Sequence, residues 1–228
     1  MKKTLLLSAL VLFALPILAQ NDFNKHNFSM NAGYAFKFAD NHPEQFANMV
    51  SNSDHAKTMK HGYTFEFAYD YRFHQWLSVG FEASMFGAVH GFDSIIPSSG
   101  EANNSIYCTD DMNIFYVGPS FKVQLPTIAE QFDIWARVTA GYMNMRNTDK
   151  NSISNTYSGN SFGYGIGCGL DYAFNEYIGM GFTASFLQGS VSTLKLGEDK
   201  IDISENKESL GRMNFTIGVR IQIGRAHV

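Results

Sequence analysis

Apolar and polar residues alternate with a period of two in eight separate stretches of the chain. The first sets Phe28, Met30, Ala32, Tyr34, Phe36 and Phe38 against Ser29, Asn31, Gly33, Ala35 and Lys37. The second is the most regular: Tyr63, Phe65, Phe67, Tyr69, Tyr71 and Phe73 oppose Thr64, Glu66, Ala68, Asp70 and Arg72. Further stretches run from Leu77 to His90, Phe115 to Leu125, Ile134 to Tyr142, Phe162 to Phe174, Ile178 to Phe186 and Arg212 to Ile223. Side chains at period two point to opposite faces of an extended chain, so each stretch predicts a β-strand with one oily and one polar or small face. Pro119 interrupts the fourth, and a proline cannot donate to a ladder, so a bulge or local break is expected there.

One unit occurs twice. Residues 69–87 read YDYRFHQWLSVGFEASMFG and residues 170–189 read LDYAFNEYIGMGFTASFLQG. Asp70 aligns with Asp171, Gly80 with Gly181, and Ala83-Ser84 with Ala184-Ser185. Each copy is two alternating runs joined by a tight polar break, the pattern of a β-hairpin. The connections between the eight runs alternate strictly. Long polar loops at 39–61, 91–111, 144–160 and 190–210 take turns with short breaks near Gln75, Pro126 and Asn175.

The oily face is aromatic and recurs on every strand, which suits lipid better than water as the outer solvent. Tyr63, Phe65, Phe67, Tyr69, Tyr71, Phe73, Phe162, Tyr164, Ile166, Phe182, Phe215, Ile217 and Val219 are assigned to the lipid face. After the first 19 residues no apolar stretch is long enough for a spanning helix, so strands must do the crossing. The expected fold is all-β, an eight-stranded antiparallel up-and-down transmembrane β-barrel. Tyr69, Tyr71, Trp76, Tyr172 and Tyr177, near the two repeated turns, form an expected interfacial girdle.

Residues 1–19 supply Lys2-Lys3, an apolar run from Leu5 to Leu15 and a small-residue exit at Ala19, the pattern of a secretory signal peptide. Residues 20–228 are then one barrel domain. With a formal net charge of −4 and no basic cluster, a nucleic-acid partner is not expected.

The repeated Asp-Tyr-x-Phe…Gly-Phe-x-Ala-Ser hairpins and the Val117-Gly118-Pro119 strand resemble the small bacterial outer-membrane β-barrel family with OmpA-like or OmpX-like transmembrane domains. The resemblance implies the outer membrane of a Gram-negative bacterium, a monomer surrounded by outer-membrane lipid, and contact with the barrel-insertion machinery. It also implies host or envelope partners at the four long loops, and it includes porin-like members. It settles no function, because the fold hosts many.

The inward face carries Lys37, Glu66, Asp70, Arg72, Glu82, Lys122, Arg137, Asp171, Arg212 and Arg220, six cations and four anions. An eight-stranded barrel is just wide enough for its own side chains to fill, so these charges predict a salt-bridged plug before a charge-lined pore. Glu66 and Glu82 are expected to pair with Lys122, Arg137 or Arg220. The glycines from Gly163 to Gly169 are expected to make room for Trp135 and Arg137 rather than to leave a hollow.

No catalytic residue, cofactor or metal is expected. His90, Asp93 and Ser94 make the best chance constellation for a lipid-modifying enzyme, at the outer rim of the third strand, and a coincidence within a polar loop is the better account of them. His42, His55 and His61 lack metal-ligand spacing, and Cys108 in a loop and Cys168 on the lipid face do not suit a disulfide. The functional expectation is a structural or surface-interaction role through the outer loops, with a narrow solute channel as the alternative.

The chain closes on Ile223-Gly224-Arg225-Ala226-His227-Val228, which matches what a sequencing adapter encodes in one frame before a stop. Native sequence is therefore expected to end at about Gln222, leaving open a periplasmic domain beyond it.

Overall fold

A computed structural model describes residues 24–38, 58–96, 104–125, 131–150, 154–197, 199–205 and 207–225. The leader, most of the first long loop and the last three residues lie outside these. Eight long antiparallel strands form a ring: β1 (Asn24–Lys37), β2 (His61–His74), β3 (Leu77–Ile96), β4 (Asn104–Gln124), β5 (Phe132–Lys150), β6 (Ser154–Ala173), β7 (Ile178–Val191) and β11 (Arg212–Arg225). Each pairs with its neighbour along the chain, β7 pairs with β11, and β11 closes on β1 over thirteen register partners from Asn24↔Arg225 to Lys37↔Arg212. Closure leaves no open sheet edge for lipid to meet.

Three short strands lie outside the ring, and the eight-strand expectation did not include them. β8 (Thr193–Leu196), β9 (Asp199–Asp202) and β10 (Glu208–Ser209) belong to the connection between β7 and β11. β8 pairs with β6 and β9 with β8, while β10 pairs with β7.

The two repeated hairpins are built on the same register. Asp70 stands opposite Gly80, and Asp171 opposite Gly181. A Cβ at Gly181 would run into the Asp171 carboxylate and the Arg220 guanidinium, so glycine there makes room for that pair. At the second turn Asn175 accepts from the backbone N–H groups of Tyr177 and Ile178, both at 2.9 Å, a side-chain turn that fixes the reversal. Pro119 produces a local break and no bulge. The β4–β5 pairing skips Gly118 and Pro119, then resumes in unchanged register from Val117↔Tyr142 to Ser120↔Thr139. The Thr139 hydroxyl donates to the freed Pro119 carbonyl at 3.0 Å.

Exposure follows the alternation. Phe162, Ile166 and Ile217 are 70%, 60% and 56% exposed, although they are among the most apolar positions. On the opposite face Lys37, Arg212 and Arg220 are at most 1% exposed. This inversion defines a barrel that presents its oil outward. The aromatics also meet one another on the outer face: Phe28 and Tyr69 centroids lie 4.9 Å apart, and Phe67 and Tyr69 each lie 5.8 Å from Phe81. Phe67→Lys is therefore expected to cost about 2–4 kcal/mol in urea titrations of the barrel refolded into lipid vesicles, with Phe67→Leu close to wild type.

Two of the four long loops are largely strand. β3 extends to Ile96 and β4 begins at Asn104, and β5 and β6 run to Lys150 and from Ser154, so most of 91–111 and 144–160 is paired sheet. A spanning strand needs only about 9–11 residues. β3, β4, β5 and β6 have 20, 21, 19 and 20, and so stand well beyond the bilayer on the side away from the tight turns. Cys108 is correspondingly in β4, opposite Phe92, and not in a loop. Of the segment 190–210, Ser190 and Val191 are the end of β7. In the segment 39–61, His61 already belongs to β2, and residues 39–57 lie outside the described residues.

Candidate functional site: the barrel lumen

All ten charged residues assigned to the inner face are buried. Eight long strands each place one residue into a single chain of contacts across the lumen. Glu82 on β3 meets Arg137 on β5 at 3.4 Å, and Arg137 meets Asp70 on β2 at 2.8 Å. Asp70 meets Lys122 on β4 at 3.4 Å, and Lys122 reaches Asp171 on β6 at 3.9 Å. Asp171 holds Arg220 on β11 at 2.7 Å, and Arg220 donates to Asn31 on β1 at 2.5 Å and Thr183 on β7 at 3.0 Å. Three cations face three anions, so the network is neutral. Lys122 bridges the two repeat-related aspartates.

Trp135 is buried against this layer, with the Lys122 ammonium 4.6 Å and the Arg137 guanidinium 5.0 Å from its ring, within cation–π range. A Cβ at Gly169 would enter the Trp135 ring. At Gly165 it would meet Leu187, and at Gly163 Met143 and Tyr116. The glycine run thus accommodates Trp135, as expected, and Gly167 stands opposite Arg137 in the ladder, while Gly163 and Gly165 also make room for Leu187, Met143 and Tyr116.

Glu82 takes an arginine partner, whereas Glu66 does not. Glu66 accepts from Ser185 and Asn214 at 2.9 Å each and from Thr216 at 3.0 Å, three neutral donors on β7 and β11. A buried carboxylate is satisfied by hydrogen bonds as well as by an ion pair. Arg72 donates to Gln124. Arg212 donates to Ser84 at 3.2 Å and stands 6.0 Å from the Phe86 ring. The cation excess read from the strands is answered by Glu208 and Asp110, both buried. Glu208 pairs with Lys37 at 3.1 Å, and Asp110 lies within electrostatic reach of Lys37. Both fell in segments read as solvated loop, so no signal from alternation marked them.

Above the charged layer the lumen changes character. Phe86, Ile114, Tyr116, Met143 and Leu187 are fully buried and pack with Ala35, Ala88, Met112 and Met145 into an apolar core within the outer half of the barrel. Met59, Leu194, Ile203 and Leu210 cover it from the connecting segments. Tyr116 hydrogen-bonds Thr139 at 2.6 Å, which satisfies its buried hydroxyl. The inner-face prediction contained the polar layer and missed this apolar one.

The constellation of His90, Asp93 and Ser94 is spread along β3, where the ladder sets these residues opposite Asp110, Tyr107 and Ile106. Among the described residues no three His, Cys, Asp or Glu side chains are placed to hold a metal ion.

A closed ring of eight strands, apolar outside and carrying a layer of buried charges inside, is a transmembrane β-barrel. Residues 5–222 match the outer membrane protein beta-barrel domain family, and the chain belongs to that family, whose place is the cell outer membrane. No curated protein sequence matches the chain. Among solved structures it is similar to Neisserial surface protein A, with 11% identity over 87% of this chain and 97% of that one and a TM-score of 0.47. It is also similar to Ail, the attachment invasion locus protein of Yersinia pestis, with 18% identity over 86% and 99% and a TM-score of 0.41. The outer membrane protease OmpT from Escherichia coli aligns at 9% identity over 90% and 99%, with a TM-score of 0.48.

Proposed function

We propose that this barrel serves a structural or surface-interaction role, exercised as a monomer through the parts that stand beyond the membrane and not through its lumen. The observation that carries the reading is the double filling of the lumen. A neutral ion-pair layer joins all eight strands of the ring, and an apolar core with five fully buried large side chains lies above it. Neither layer offers a solute a hydrated path, and a reactive group inside would have no substrate access. The surface that remains for partners is the long paired extension of β3 to β6 and the connection between β7 and β11. Host or envelope molecules are the partners such a surface would meet.

Planar-bilayer recording on the purified, refolded barrel tests this. Insertion without stable stepwise conductance is expected. Reproducible openings with a defined unit conductance would overturn the reading in favour of a narrow channel for small solutes.

A further inference from the structure

The connection between β7 and β11 does not simply cross the barrel mouth. It turns inward and contributes to the lumen. Leu194 on β8, Ile203 after β9 and Leu210 after β10 are all buried in the apolar core. Between them Glu208 reaches the Lys37 ammonium at 3.1 Å, and neither side chain is more than 7% exposed. Lys37 also contacts Met112 Sδ at 3.5 Å, and the other charged groups near it are Arg212 and Asp110. Backbone bonds hold the same segment: Ile203 N–H to Ser192 at 2.9 Å, Leu210 N–H to Gly189 at 2.9 Å, and Phe38 N–H to Gly211 at 3.0 Å.

We propose that β8, β9, β10 and Leu210 form a strap that seals the outer mouth of the barrel and undocks as one unit, with the buried Lys37–Glu208 pair as its latch. The argument rests on which element supplies which partner. Lys37 belongs to the ring itself, as the last residue of β1, and the carboxylate it is salt-bridged to comes from the strap. Without the strap this ammonium would keep Asp110 of β4 nearby but lose its salt-bridged carboxylate in an apolar mouth, which is costly. The strap in turn buries three aliphatic side chains that have no other core to enter. Its own strands are only 4, 4 and 2 residues long, too short to hold a fold alone. Docked, the strap presents a polar outer face. Released, it would carry Leu194, Ile203 and Leu210 outward together as an apolar contact surface. That last consequence rests on the surface-interaction reading. The docking itself does not.

Hydrogen exchange on the full chain refolded into lipid vesicles reads the strap directly and needs no partner, so its outcome is separate from that of the conductance test. The amides of Ile203, Leu210 and Phe38 are the reporters, because each donates across the strap or its junction with the ring. Glu208→Gln removes the salt-bridge partner of Lys37 and leaves it only the more distant Asp110, and all three are expected to exchange about tenfold faster or more, in concert, while the amide of Phe67 in the membrane stays as in wild type. The double variant Lys37→Met with Glu208→Leu removes both charges and keeps the volume, and should return the three amides towards wild-type rates. Should the Gln variant not refold, Leu210→Ala loosens the strap without stranding a charge and should give the same concerted rise. Unchanged exchange in the single variants would overturn the proposal. So would a response confined to one of the three amides, or a double variant as fast as Glu208→Gln.

Discussion

Phe86→Ala is expected to destabilise the barrel by about 3–5 kcal/mol, measured by urea titration of the protein refolded into lipid vesicles. Phe86 is fully buried in the apolar layer of the lumen. A Cβ added at Gly62, across the ladder, would already touch the Phe86 ring, and the Arg212 guanidinium lies 6.0 Å from it. Walls made of paired strands cannot close round the missing ring as a loose core does, so the cavity is expected to persist. The same substitution at an outward aromatic gives the contrast. Phe65, on the neighbouring strand and 53% exposed, faces lipid, which flows into the space left behind. Phe65→Ala should therefore cost clearly less. Equal losses at the two positions would mean that the outer lumen is not a packed core.

Asp70→Asn is the second large effect, a loss of about 3–5 kcal/mol in the same assay. The Asp70 carboxylate takes Arg137 at 2.8 Å and Lys122 at 3.4 Å, and it links the two halves of the lumen network. Without its charge, Arg137 keeps only Glu82 at 3.4 Å, and Lys122 keeps only Asp171 at 3.9 Å. Two cations are then underneutralised inside a filled lumen. Lys122→Met combined with Asp70→Asn should recover much of the loss, because the surviving Arg137–Glu82 and Arg220–Asp171 pairs are balanced. A strictly additive double variant would mean that the two groups do not interact and that water screens the lumen.

The membrane-spanning part of the fold was legible because its two faces meet different solvents. Lipid outside and a charged lumen inside force the strongest contrast that period two can express, as in Tyr63 to Phe73. The contrast fails where the strands leave the bilayer. There the outward face turns polar, with Asn113, Asp111, Asn144 and Asn160 bonded to one another in pairs, so strand and loop have the same composition. Most of the residues 91–111 and 144–160 consequently read as loop and fold as sheet. The apolar core was hidden for the opposite reason. Met85 outward and Phe86 inward, or Phe186 and Leu187, give consecutive oily residues, and the alternation that marked the inner face disappears. Of the charged residues, the ten on alternating strands were found, whereas Glu208 and Asp110 stood in segments with no alternation to read. Glu66 was found but given the wrong kind of partner. Neutral donors from β7 and β11 cannot be inferred from one strand alone.

Every member of the lumen network belongs to a different strand, and that bears on how the barrel is made. Arg220 on the last strand is the 2.7 Å partner of Asp171, and Asn214 and Thr216 on that strand complete the shell of Glu66. Until β11 joins β1, the Glu66 carboxylate on β2 lacks the two donors that β11 brings across that seam. Zipping the seam and completing the shell of Glu66 therefore go together, which leaves a barrel open at that seam electrostatically unfinished.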